Sequence, residues 1–568
     1  MIKWIVREDQ AEEFSSPEIS NVLAKLLTSR GFRSLEEQKN FLFPDYDRDV
    51  HNPFLFVQME KVVERIKTAK ENKEKVFIFG DYDADGVTSA AILREVLLLL
   101  EINVEVYIPD KKNEGYGLNL NAIEFFATKN TKLVLTVDCG ITGIKEVARA
   151  NELGMDVIIT DHHHVPAQLP EAFAIINPHM PESGYPFSEL AGVGVAFKVV
   201  QALFEKLLPE QKQQEKWMLD LVAIGTVADC VPLINENRAL VKYGLVVLAK
   251  TRRTGLKELF KVGRLVIDEQ NLPDARKISF QIAPRINAAG RIDHANLAYN
   301  LVVENDEVKA RDYALELESI NSRRQKMTET VSNEIRAVAE NMFKEKKFIF
   351  ALGENFPIGI VGLVAGKIAS QFNKPTIVLQ KGEHESVGSL RSIPQINIIE
   401  AIGKCSELLK RFGGHAQAAG VTVKNENLEA FYQKLDAIIE TELNGKNLLP
   451  QLEIDARLEA SEIDFSLIDE IERMRPFGEG NPEPVFLLEK MRIHDLRTVG
   501  NGSKHLKMLL QPQDGAPKLL DSIMFNASKE ALEVKEGMEI DVVCSLQSDE
   551  WNGNKKIQLN IIDLKKTE

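Results

Sequence analysis

The most restrictive feature of the sequence is a series of short β-branched runs, each separated from the next by a segment long enough to form a helix. The runs occupy residues 76–79, 104–108, 133–137 and 157–160. Parallel strands are joined through such helical crossovers, so this alternation predicts an α/β domain built on a parallel sheet. Residues 217–227 are predicted to form the helix that closes this first domain.

Acidic residues follow directly on three of these runs. The first run leads into the sequence GDYDADG at residues 80–86, the third into Asp138, and the fourth into the sequence DHHH at residues 161–164. Since the carboxyl ends of parallel strands meet at the ligand-binding edge of a sheet, we expect these side chains to converge. Another acid, Asp229, follows the closing helix. Carboxylates held close together repel one another unless cations neutralise them, so the pattern predicts a metal site.

The types of ligand indicate which metals this site would hold. Carboxylate oxygens with one or two imidazoles, and no set of thiolates, suit Mn²⁺ or Mg²⁺ better than zinc. Four or more carboxylates can hold two ions about 4 Å apart, the arrangement used to cleave phosphate esters. A single Asp after a strand is more often a helix cap, and Asp81, which lies nearest to the strand, is expected to be structural. His164 is expected to lie at the surface or behind the ligands.

The composition excludes several classes of protein. A formal net charge of -15 argues against binding nucleic acid through bulk positive charge, although it is compatible with a local basic groove. Four cysteines without a CxxC pair exclude a disulfide scaffold and a thiolate zinc module, and they fit a reducing compartment. The first residues lack an apolar signal segment, and charges interrupt the apolar stretch at residues 90–108. We therefore expect a cytoplasmic protein without a membrane span.

The rest of the chain divides into segments of different pattern. Residues 306–347 contain neither Gly nor Pro, which predicts either one bridging helix about 60 Å long or two shorter helices joined by a tight turn. Alternating polar and apolar residues near the C-terminus predict a small antiparallel β domain, which we expect to be a barrel. The predicted domains are a helical lead-in at 1–70, the first α/β domain at 71–300, a connecting helix at 301–347, a second α/β domain at 348–445 and the barrel at 450–568.

Several of these segments resemble the motifs of one superfamily. GDYDADG, VDCG, TDHHH and TVADCVPL resemble, in this order, the motifs of the DHH phosphoesterases. Residues 413–420 resemble the signature of the DHH-associated domain, and residues 476–482 and 504–507 resemble the oligonucleotide-binding barrel of some members. With EGYG at 114–117 and PRINAAGR at 284–291, the resemblance extends over nearly the whole chain. It implies a DHH-type parallel-sheet domain joined by a long helix to a DHH-associated α/β domain, followed by a β-barrel with the oligonucleotide-binding fold.

The resemblance also implies roles for individual residues. The implied metal ligands are Asp83, Asp85, Asp138, His162 and Asp229, with Asp161 as a further ligand or its close support. His163 matches the residue that contacts the scissile phosphate. The implied substrate contacts are Lys111, Tyr116, Arg285, Asn287, Arg291, Ser389, Arg391 and His415. The superfamily commonly has Arg in the segment around Lys111, and some members have a metal-binding His where this chain has Phe79. One ligand fewer would make the first metal site more open, or would leave Asp81 or water to complete it.

The function that the resemblance implies is 5′-to-3′ degradation of single-stranded DNA to 5′ mononucleotides, in DNA recombination and repair. Two ions, Mn²⁺ or Mg²⁺, would serve as cofactors, and Phe525 and Trp551 of the barrel are candidates for stacking on DNA bases. We expect a monomer, with a single-stranded-DNA-binding protein and a helicase as candidate partners. Two alternatives are a DHH enzyme for small substrates, which usually lacks the barrel, and an inactive DNA-binding scaffold, which loses the motif acids.

Overall fold

The computed structural model describes residues 2–7, 19–110, 114–115, 117–292, 295–343, 345–500, 504–513, 518–527, 532–551 and 554–567. Two of the implied substrate contacts, Lys111 and Tyr116, lie outside the described residues, as does the side chain of Trp551. Among the helices in these ranges, none combines the length and the apolar character needed to cross a membrane.

The N-terminal segment is mostly helical, as its sequence predicts, but it begins with a strand that the sequence did not indicate. The segment contains β1 (Lys3–Val6), α1 (Asn21–Ser29), α2 (Leu35–Leu42), α3 (Tyr46–Asp49) and α4 (Met59–Glu71). Strand β1 pairs in parallel with residues 451–454, and the indole of Trp4 donates a 2.8 Å hydrogen bond to Asp563. The start of the chain is therefore attached to its C-terminal domain.

The predicted parallel sheet is confirmed. It contains β2 (Lys75–Gly80), β3 (Asn103–Tyr107), β4 (Thr131–Val137), β5 (Asp156–Thr160) and β6 (Ala174–Ile176). The strand order is β3-β2-β4-β5-β6, and every pairing is parallel. Alternate residues of β2 enter different cores on the two faces of the sheet: Val76 and Ile78 on one face, Phe77 and Phe79 on the other. A sheet buried on both faces explains why its strands are continuous apolar runs.

Helices cover both faces of this sheet and extend the domain beyond it. They are α5 (Ala84–Leu99), α6 (Leu120–Thr128), α7 (Ile144–Glu152), α8 (Gly192–Leu207), α9 (Leu219–Ala228), α10 (Asn235–Ala249), α11 (Thr254–Val262), α12 (Ala275–Lys277), α13 (Ala283–Ile292) and α14 (Asn296–Val303). The predicted closing helix corresponds to α9. Helix α12 continues through a π-helical stretch, Ile278–Ile282, into α13, which carries the PRINAAGR sequence. Such π-helical stretches are frequent at functional sites.

The segment without Gly or Pro forms a single helix, so the alternative of two shorter helices is wrong. Helix α15 (Glu307–Met342) has 36 residues and is about 54 Å long at 1.5 Å per residue. Ala310, Ala314 and Leu317 in its first half belong to the core of the first domain, whereas Val331, Ile335 and Ala339 in its second half pack with apolar side chains of the next domain. It therefore connects the first α/β domain to the second.

The second α/β domain is built on a mixed five-stranded sheet. It contains β7 (Ile349–Gly353), α16 (Val361–Phe372), β8 (Thr376–Lys381), β9 (Glu385–Arg391), α17 (Ile398–Gly403), β10 (Leu409–His415), β11 (Ala418–Lys424) and α18 (Leu428–Glu442). The strand order is β10-β11-β9-β8-β7. Only β7 and β8 pair in parallel. The β10–β11 hairpin places the GGHAQAAG sequence at one end of the sheet.

The C-terminal domain is a closed barrel, as predicted. It contains β12 (Gln451–Ile454), β13 (Ala456–Arg457), α19 (Phe465–Arg473), β14 (Phe486–Val499), β15 (His505–Pro512), β16 (Leu520–Met524), β17 (Glu539–Trp551) and β18 (Asn554–Lys566). Five strands close the barrel in the order β14-β15-β16-β18-β17, with β17 returning to β14. The β16–β18 and β13–β14 pairings are parallel, and β12 pairs in parallel with β1, so the expectation of an antiparallel domain is wrong at these pairs.

The side chain of Arg238 on α10 anchors the barrel to the first domain. It is almost fully buried, and its guanidinium donates hydrogen bonds to the carbonyls of Phe41, Arg473 and Met474 at 2.8–3.0 Å. The same guanidinium lies 3.9 Å from the centre of the Phe41 ring. Helices α1 and α2 also contribute apolar side chains to the barrel's core. One arginine therefore joins the N-terminal segment, the first domain and the barrel.

Candidate metal centre and substrate cleft

The turn after β2 is folded tightly by its own side chains. Asp83 caps α5, because its Oδ1 accepts hydrogen bonds from the backbone N–H groups of Asp85 and Gly86 at 2.9 and 3.1 Å. A side chain at Gly86 would collide with the carbonyl oxygen of Asp81. The sequence DADG therefore makes a compact turn that presents Asp81 and Asp83 at the carboxyl end of the sheet.

Asp85 is held by the N-terminus of α8. Its two carboxylate oxygens accept hydrogen bonds from the backbone N–H groups of Gly192 and Val193, at 2.7 and 2.8 Å. Burial raises the pKa of Asp85 well above its usual value, and the negative charges of Asp229 and Asp83 raise it further, while the two N–H groups oppose this shift. The neighbouring carboxylates therefore repel one another, and a bound proton or cation would relieve this repulsion.

Asp138 and His162 face each other at the carboxyl edge of the sheet. Asp138 adopts the left-handed backbone conformation (φ 59°) directly after β4, and its Oδ1 lies 3.2 Å from Nε2 of His162. Both atoms are buried and have no hydrogen-bond partner among the described residues. Burial lowers the pKa of His162 to about 4, with the neighbouring His163 adding to this effect, so the imidazole is neutral at pH 7. Two buried electron-pair donors aimed at one point fit a metal ion between them.

Three groups of ligand atoms at this edge of the sheet are each compact enough to bind an ion. Within each group, all ligand atoms lie within 4.8 Å of one another, counted over the described residues. The groups are Asp85 with His162 and Asp229, Asp81 with Asp83 and Asp138, and Asp138 with His162 and His163. Burial, together with the charge of Asp83, raises the pKa of Asp229 to about 7. Asp138 and His162 each belong to two of the groups, so the groups adjoin one another.

Asp81 and Asp161 lie in different surroundings, and the roles of both stay predictions. Asp81, which was expected to be structural, belongs to one of the ligand groups. Asp161 belongs to none of them, and its oxygens accept hydrogen bonds from the backbone N–H groups of Ile141, His162 and His163 at 2.8–3.1 Å and from Nδ1 of His163 at 2.7 Å. Of the two roles that the resemblance implied for Asp161, the structure therefore supports the close support of neighbouring residues.

His163 is the most open side chain of the centre. Burial alone would lower its pKa, but the hydrogen bond and the charge of Asp161 outweigh it and raise the pKa of His163. The imidazole remains 39% exposed, whereas the side chains of Asp85 and Asp138 are almost completely buried. His163 therefore lies on the solvent side of the centre, where a phosphate would arrive.

Helix α13 packs directly onto the metal-binding turn. Oδ1 of Asn287 accepts a 2.7 Å hydrogen bond from the backbone N–H of Ala84. A methyl group at Gly290 would lie 2.5 Å from the carbonyl oxygen of Tyr82, so only glycine permits this approach. Asn287, expected to contact the substrate, thus uses its amide oxygen to hold the turn.

Arg291 lies near the end of the same helix. Burial lowers the pKa of Arg291, and the charge of the nearby Asp83 opposes that shift.

Arg285 is already engaged by the protein. Its Nε lies 2.6 Å from a carboxylate oxygen of Glu318 on α15, and its Nη1 donates a hydrogen bond to the carbonyl of Gln281. The pair ties α13 to α15. The structure therefore gives Arg285 an interhelical role, and its contact with the substrate stays a prediction.

The second α/β domain faces the metal centre with its own polar groups. Nη1 of Arg391 on β9 donates hydrogen bonds to Oγ of Ser389 and to the carbonyl of Leu390, at 2.7 and 2.8 Å. Burial lowers the pKa of Arg391, and repulsion from Arg291 of the first domain lowers it further. These two guanidiniums are thus close enough to repel each other across the cleft, and an anion between them would relieve the repulsion.

Histidines mark a second contact between the domains. The exposed His415, in the β10–β11 hairpin, has its ring centroid 5.7 Å from that of His164. His164 also lies 5.1 Å from the ring of His179 and is exposed, as the sequence predicted for it. The glycine-rich hairpin of the second domain therefore reaches the rim of the metal centre.

Comparison with known proteins identifies the family. Residues 75–226 match the model of the DHH family N-terminal domain, residues 345–441 that of the DHHA1 domain and residues 454–563 that of the RecJ OB domain. The chain is 38% identical over 568 residues to the single-stranded-DNA-specific exonuclease RecJ of Bacillus subtilis strain 168, covering 99% of this chain and 70% of the relative. The chain belongs to the RecJ family.

Other relatives agree with this assignment. The single-stranded-DNA-specific exonuclease RecJ of Escherichia coli K12 is 32% identical over 571 residues, which cover 96% of each chain. The crystal structure of RecJ from Thermus thermophilus in complex with Mn²⁺ matches with a TM-score of 0.84 and 28% identity, over 100% of this chain and 80% of that chain. A structure of RecJ from the same organism in complex with Mg²⁺ matches with a TM-score of 0.77 and 27% identity. The fold of the whole chain is therefore a RecJ fold.

Some groups near the metal centre of this RecJ-family chain were not indicated by the sequence. The backbone N–H groups of Gly192 and Val193 bind Asp85, and the LAGVGVAFK sequence could have suggested a helix N-terminus here. Burial lowers the pKa of Arg324 on α15, and the positive charges of Arg291 and Arg285 lower it further. No motif marks Arg324. Phe525 of the barrel, by contrast, was a candidate for base stacking from the sequence; its side chain is 51% exposed and packs edge-on against His505.

Proposed function

We propose that this chain is a metal-dependent exonuclease that degrades single-stranded DNA from the 5′ end and releases 5′ mononucleotides. The observation that carries the proposal is a pair of buried ligand atoms, Oδ1 of Asp138 and Nε2 of His162, that have no hydrogen-bond partner among the described residues. The carboxylates of Asp81, Asp83, Asp85 and Asp229 lie in the same ligand groups as these two residues. The named activity of the relatives from B. subtilis and E. coli, single-stranded-DNA-specific exonuclease, supports the choice of substrate.

Two divalent ions, Mn²⁺ or Mg²⁺, would occupy the centre. We assign one ion to Asp85, His162 and Asp229, and the other to Asp81 and Asp83, with Asp138 between them. Oxygen ligands with one imidazole suit these hard ions, and the two related T. thermophilus structures are complexes with these same metals. When bound, the ions would neutralise the carboxylates, activate water and stabilise charge on the phosphate ester.

The remaining residues of the centre would position the scissile phosphate. Asp161 orients the imidazole of His163 through a hydrogen bond and raises its pKa, which favours the protonated form. His163 would donate a hydrogen bond to a nonbridging oxygen of the scissile phosphate. Arg291 from the first domain and Arg391 with Ser389 from the second would contact phosphates on both sides of the cleft. The planar guanidinium is suited to such oxygens because it offers two parallel donors.

The barrel would hold the strand outside the cleft. The exposed ring of Phe525 offers a surface for base stacking, and closed five-stranded barrels of this kind bind oligonucleotides. A local groove suffices for binding DNA, so the net charge of -15 is compatible with this role.

The barrel and the α13 segment favour a long DNA substrate over the alternative of a small one. The complete set of acids disfavours an inactive scaffold. One chain supplies both walls of the cleft, which supports action as a monomer. We place the protein in the cytoplasm, where a helicase would supply single strands and a single-stranded-DNA-binding protein would cover them.

The test is cleavage of a single-stranded oligonucleotide labelled at its 3′ end, with Mn²⁺ or with EDTA. The proposal predicts a ladder of labelled products that shortens from the 5′ end, requires metal and is absent on duplex DNA. A 5′-labelled strand should release its label as a mononucleotide at once. Binding without cleavage would instead favour the scaffold, and cleavage confined to dinucleotides or trinucleotides would favour a small-substrate enzyme.

A further inference from the structure

Helix α15 carries two buried side-chain donor atoms, one on Arg324 and one on Thr328. Nε of Arg324 and Oγ1 of Thr328 are buried, and neither has a hydrogen-bond partner among the described residues. Residues four apart on a helix are neighbours on one face, so these two donors lie together. The hydroxyl of Thr330, two residues later, donates to the carbonyl of Lys326 at 2.9 Å, as helical threonines commonly do. Thr328 thus differs from Thr330 in having an unused donor.

Arg324 is fixed in place but not neutralised. Its Nη2 donates a 3.0 Å hydrogen bond to Oδ1 of Asn321, a neutral side chain that is itself buried one turn earlier on α15. Among the described residues, Arg324 forms no ion pair, whereas Arg285 is paired with Glu318. Burial lowers the pKa of Arg324, and the charges of Arg291 and Arg285 lower it further. A half-buried cation among other cations is stabilised by a bound anion.

The position of this face connects it with the cleft. Helix α15 is tied to α13 by the Arg285–Glu318 pair, and α13 holds the metal-binding turn through Asn287. The second half of α15 packs against α16, where Gly362 lies beside the guanidinium of Arg391. Arg324 and Thr328 thus lie on the element that joins the metal centre to the second wall of the cleft.

We propose that Arg324 and Thr328 form a further binding site for one backbone phosphate of the DNA strand. The Arg324 guanidinium and the Thr328 hydroxyl donate to the nonbridging oxygens of the same phosphodiester. This site rests on the proposed function, since it takes the strand whose end lies at the metal centre. It positions the strand between the two domains and contributes affinity that is independent of base sequence.

The test compares Arg324→Gln with Arg323→Gln, which removes the same charge from the exposed neighbouring residue on α15. Binding of a fluorescent single-stranded oligonucleotide is measured in EDTA over a range of salt concentrations, and KM for cleavage is measured with Mn²⁺. We expect Arg324→Gln to weaken binding and raise KM about tenfold, and to reduce the slope of log K against log salt by about 0.7, the value for one lost phosphate contact on a single strand. Arg323→Gln should leave the slope unchanged.

A second pair of variants covers the case in which Arg324→Gln fails to fold, as judged by thermal unfolding. Thr328→Val removes only the unused hydroxyl and should weaken binding about threefold to tenfold without changing the salt slope, whereas Thr330→Val, at an exposed site, should bind like wild type. Equal affinities and slopes for Arg324→Gln and Arg323→Gln would overturn the inference, as would wild-type binding by Thr328→Val. Wild-type protein that neither binds nor cleaves single strands would instead refute the proposed function.

Discussion

Replacing Gly192 by alanine tests how tightly the metal centre is built. The backbone N–H of Gly192 holds Asp85 at 2.7 Å, while a methyl group at Gly192 would lie 2.7 Å from Cβ and Oδ1 of Asp138. Real Cβ atoms essentially never approach other atoms within 3.0 Å. The clash involves two metal-ligand candidates at once, so Asp138 or the start of α8 must move.

The size of the effect follows from these contacts. Overpacking of a filled site costs about 1–3 kcal/mol of unfolding free energy. For a domain of this size, the loss would lower Tm by about 2–12 °C. Displacing a group that orients a metal ligand typically weakens metal binding about 10–100-fold. We therefore expect Gly192→Ala to need about 10–100 times more Mn²⁺ for half-maximal cleavage.

Gly194→Ala is the matched control on the same helix. A methyl group there would lie 3.2 Å from Cδ2 and 3.4 Å from Cβ of the buried Leu190, which is a far milder contact than the 2.7 Å approach at Gly192. Since alanine favours a helix over glycine by up to about 1 kcal/mol, this variant should be as stable as wild type or slightly more stable. The assays are thermal unfolding in EDTA and cleavage of a single-stranded oligonucleotide over a Mn²⁺ titration. Wild-type Tm and Mn²⁺ dependence in Gly192→Ala would refute the reasoning.

Three further changes probe other parts of the structure. Asparagine tolerates the left-handed backbone conformation of Asp138, so Asp138→Asn should have a Tm in EDTA no lower than that of wild type. The same variant should have no cleavage activity; retained cleavage would remove Asp138 from the metal centre. Arg238→Met leaves three buried carbonyls without donors and should lower the unfolding free energy in urea by about 3 kcal/mol, whereas unchanged stability would exclude an anchoring role. Burial raises the pKa of Glu215, although its hydrogen bond to Tyr46 opposes the shift, so the folded protein should lose stability as the pH rises and Glu215 loses its proton. Glu215→Gln should make Tm less dependent on pH over this range. An unchanged profile of Tm against pH would contradict this prediction.

Local sequence patterns were sufficient to predict the sheet and most of the centre. The β-branched runs and the acids that follow them are contiguous in sequence, and a parallel sheet brings the carboxyl ends of its strands together by geometry. Asp138 and His162 could therefore be placed at one edge before the structure was known. Their direct approach to 3.2 Å could not be predicted, because it depends on how β4 and β5 are aligned.

Other features depend on contacts that no local pattern encodes. Strand β1 is four residues long and pairs with a strand more than 400 residues later, so its sequence alone gives no signal of a partner. Asp161 has the same local pattern as a metal ligand, but the backbone N–H of Ile141, from another loop, occupies one of its oxygens. Asp81 and Arg324 likewise acquire their surroundings only when distant segments pack around them.

The central claim is that the acids at the edge of the parallel sheet hold two divalent ions. The most direct measurement is anomalous X-ray scattering at the manganese edge from crystals grown with Mn²⁺. The account predicts two peaks about 4 Å apart, one beside Asp85, His162 and Asp229 and the other beside Asp81 and Asp83, with Asp138 touching both. A single peak, or peaks away from these carboxylates, would contradict it.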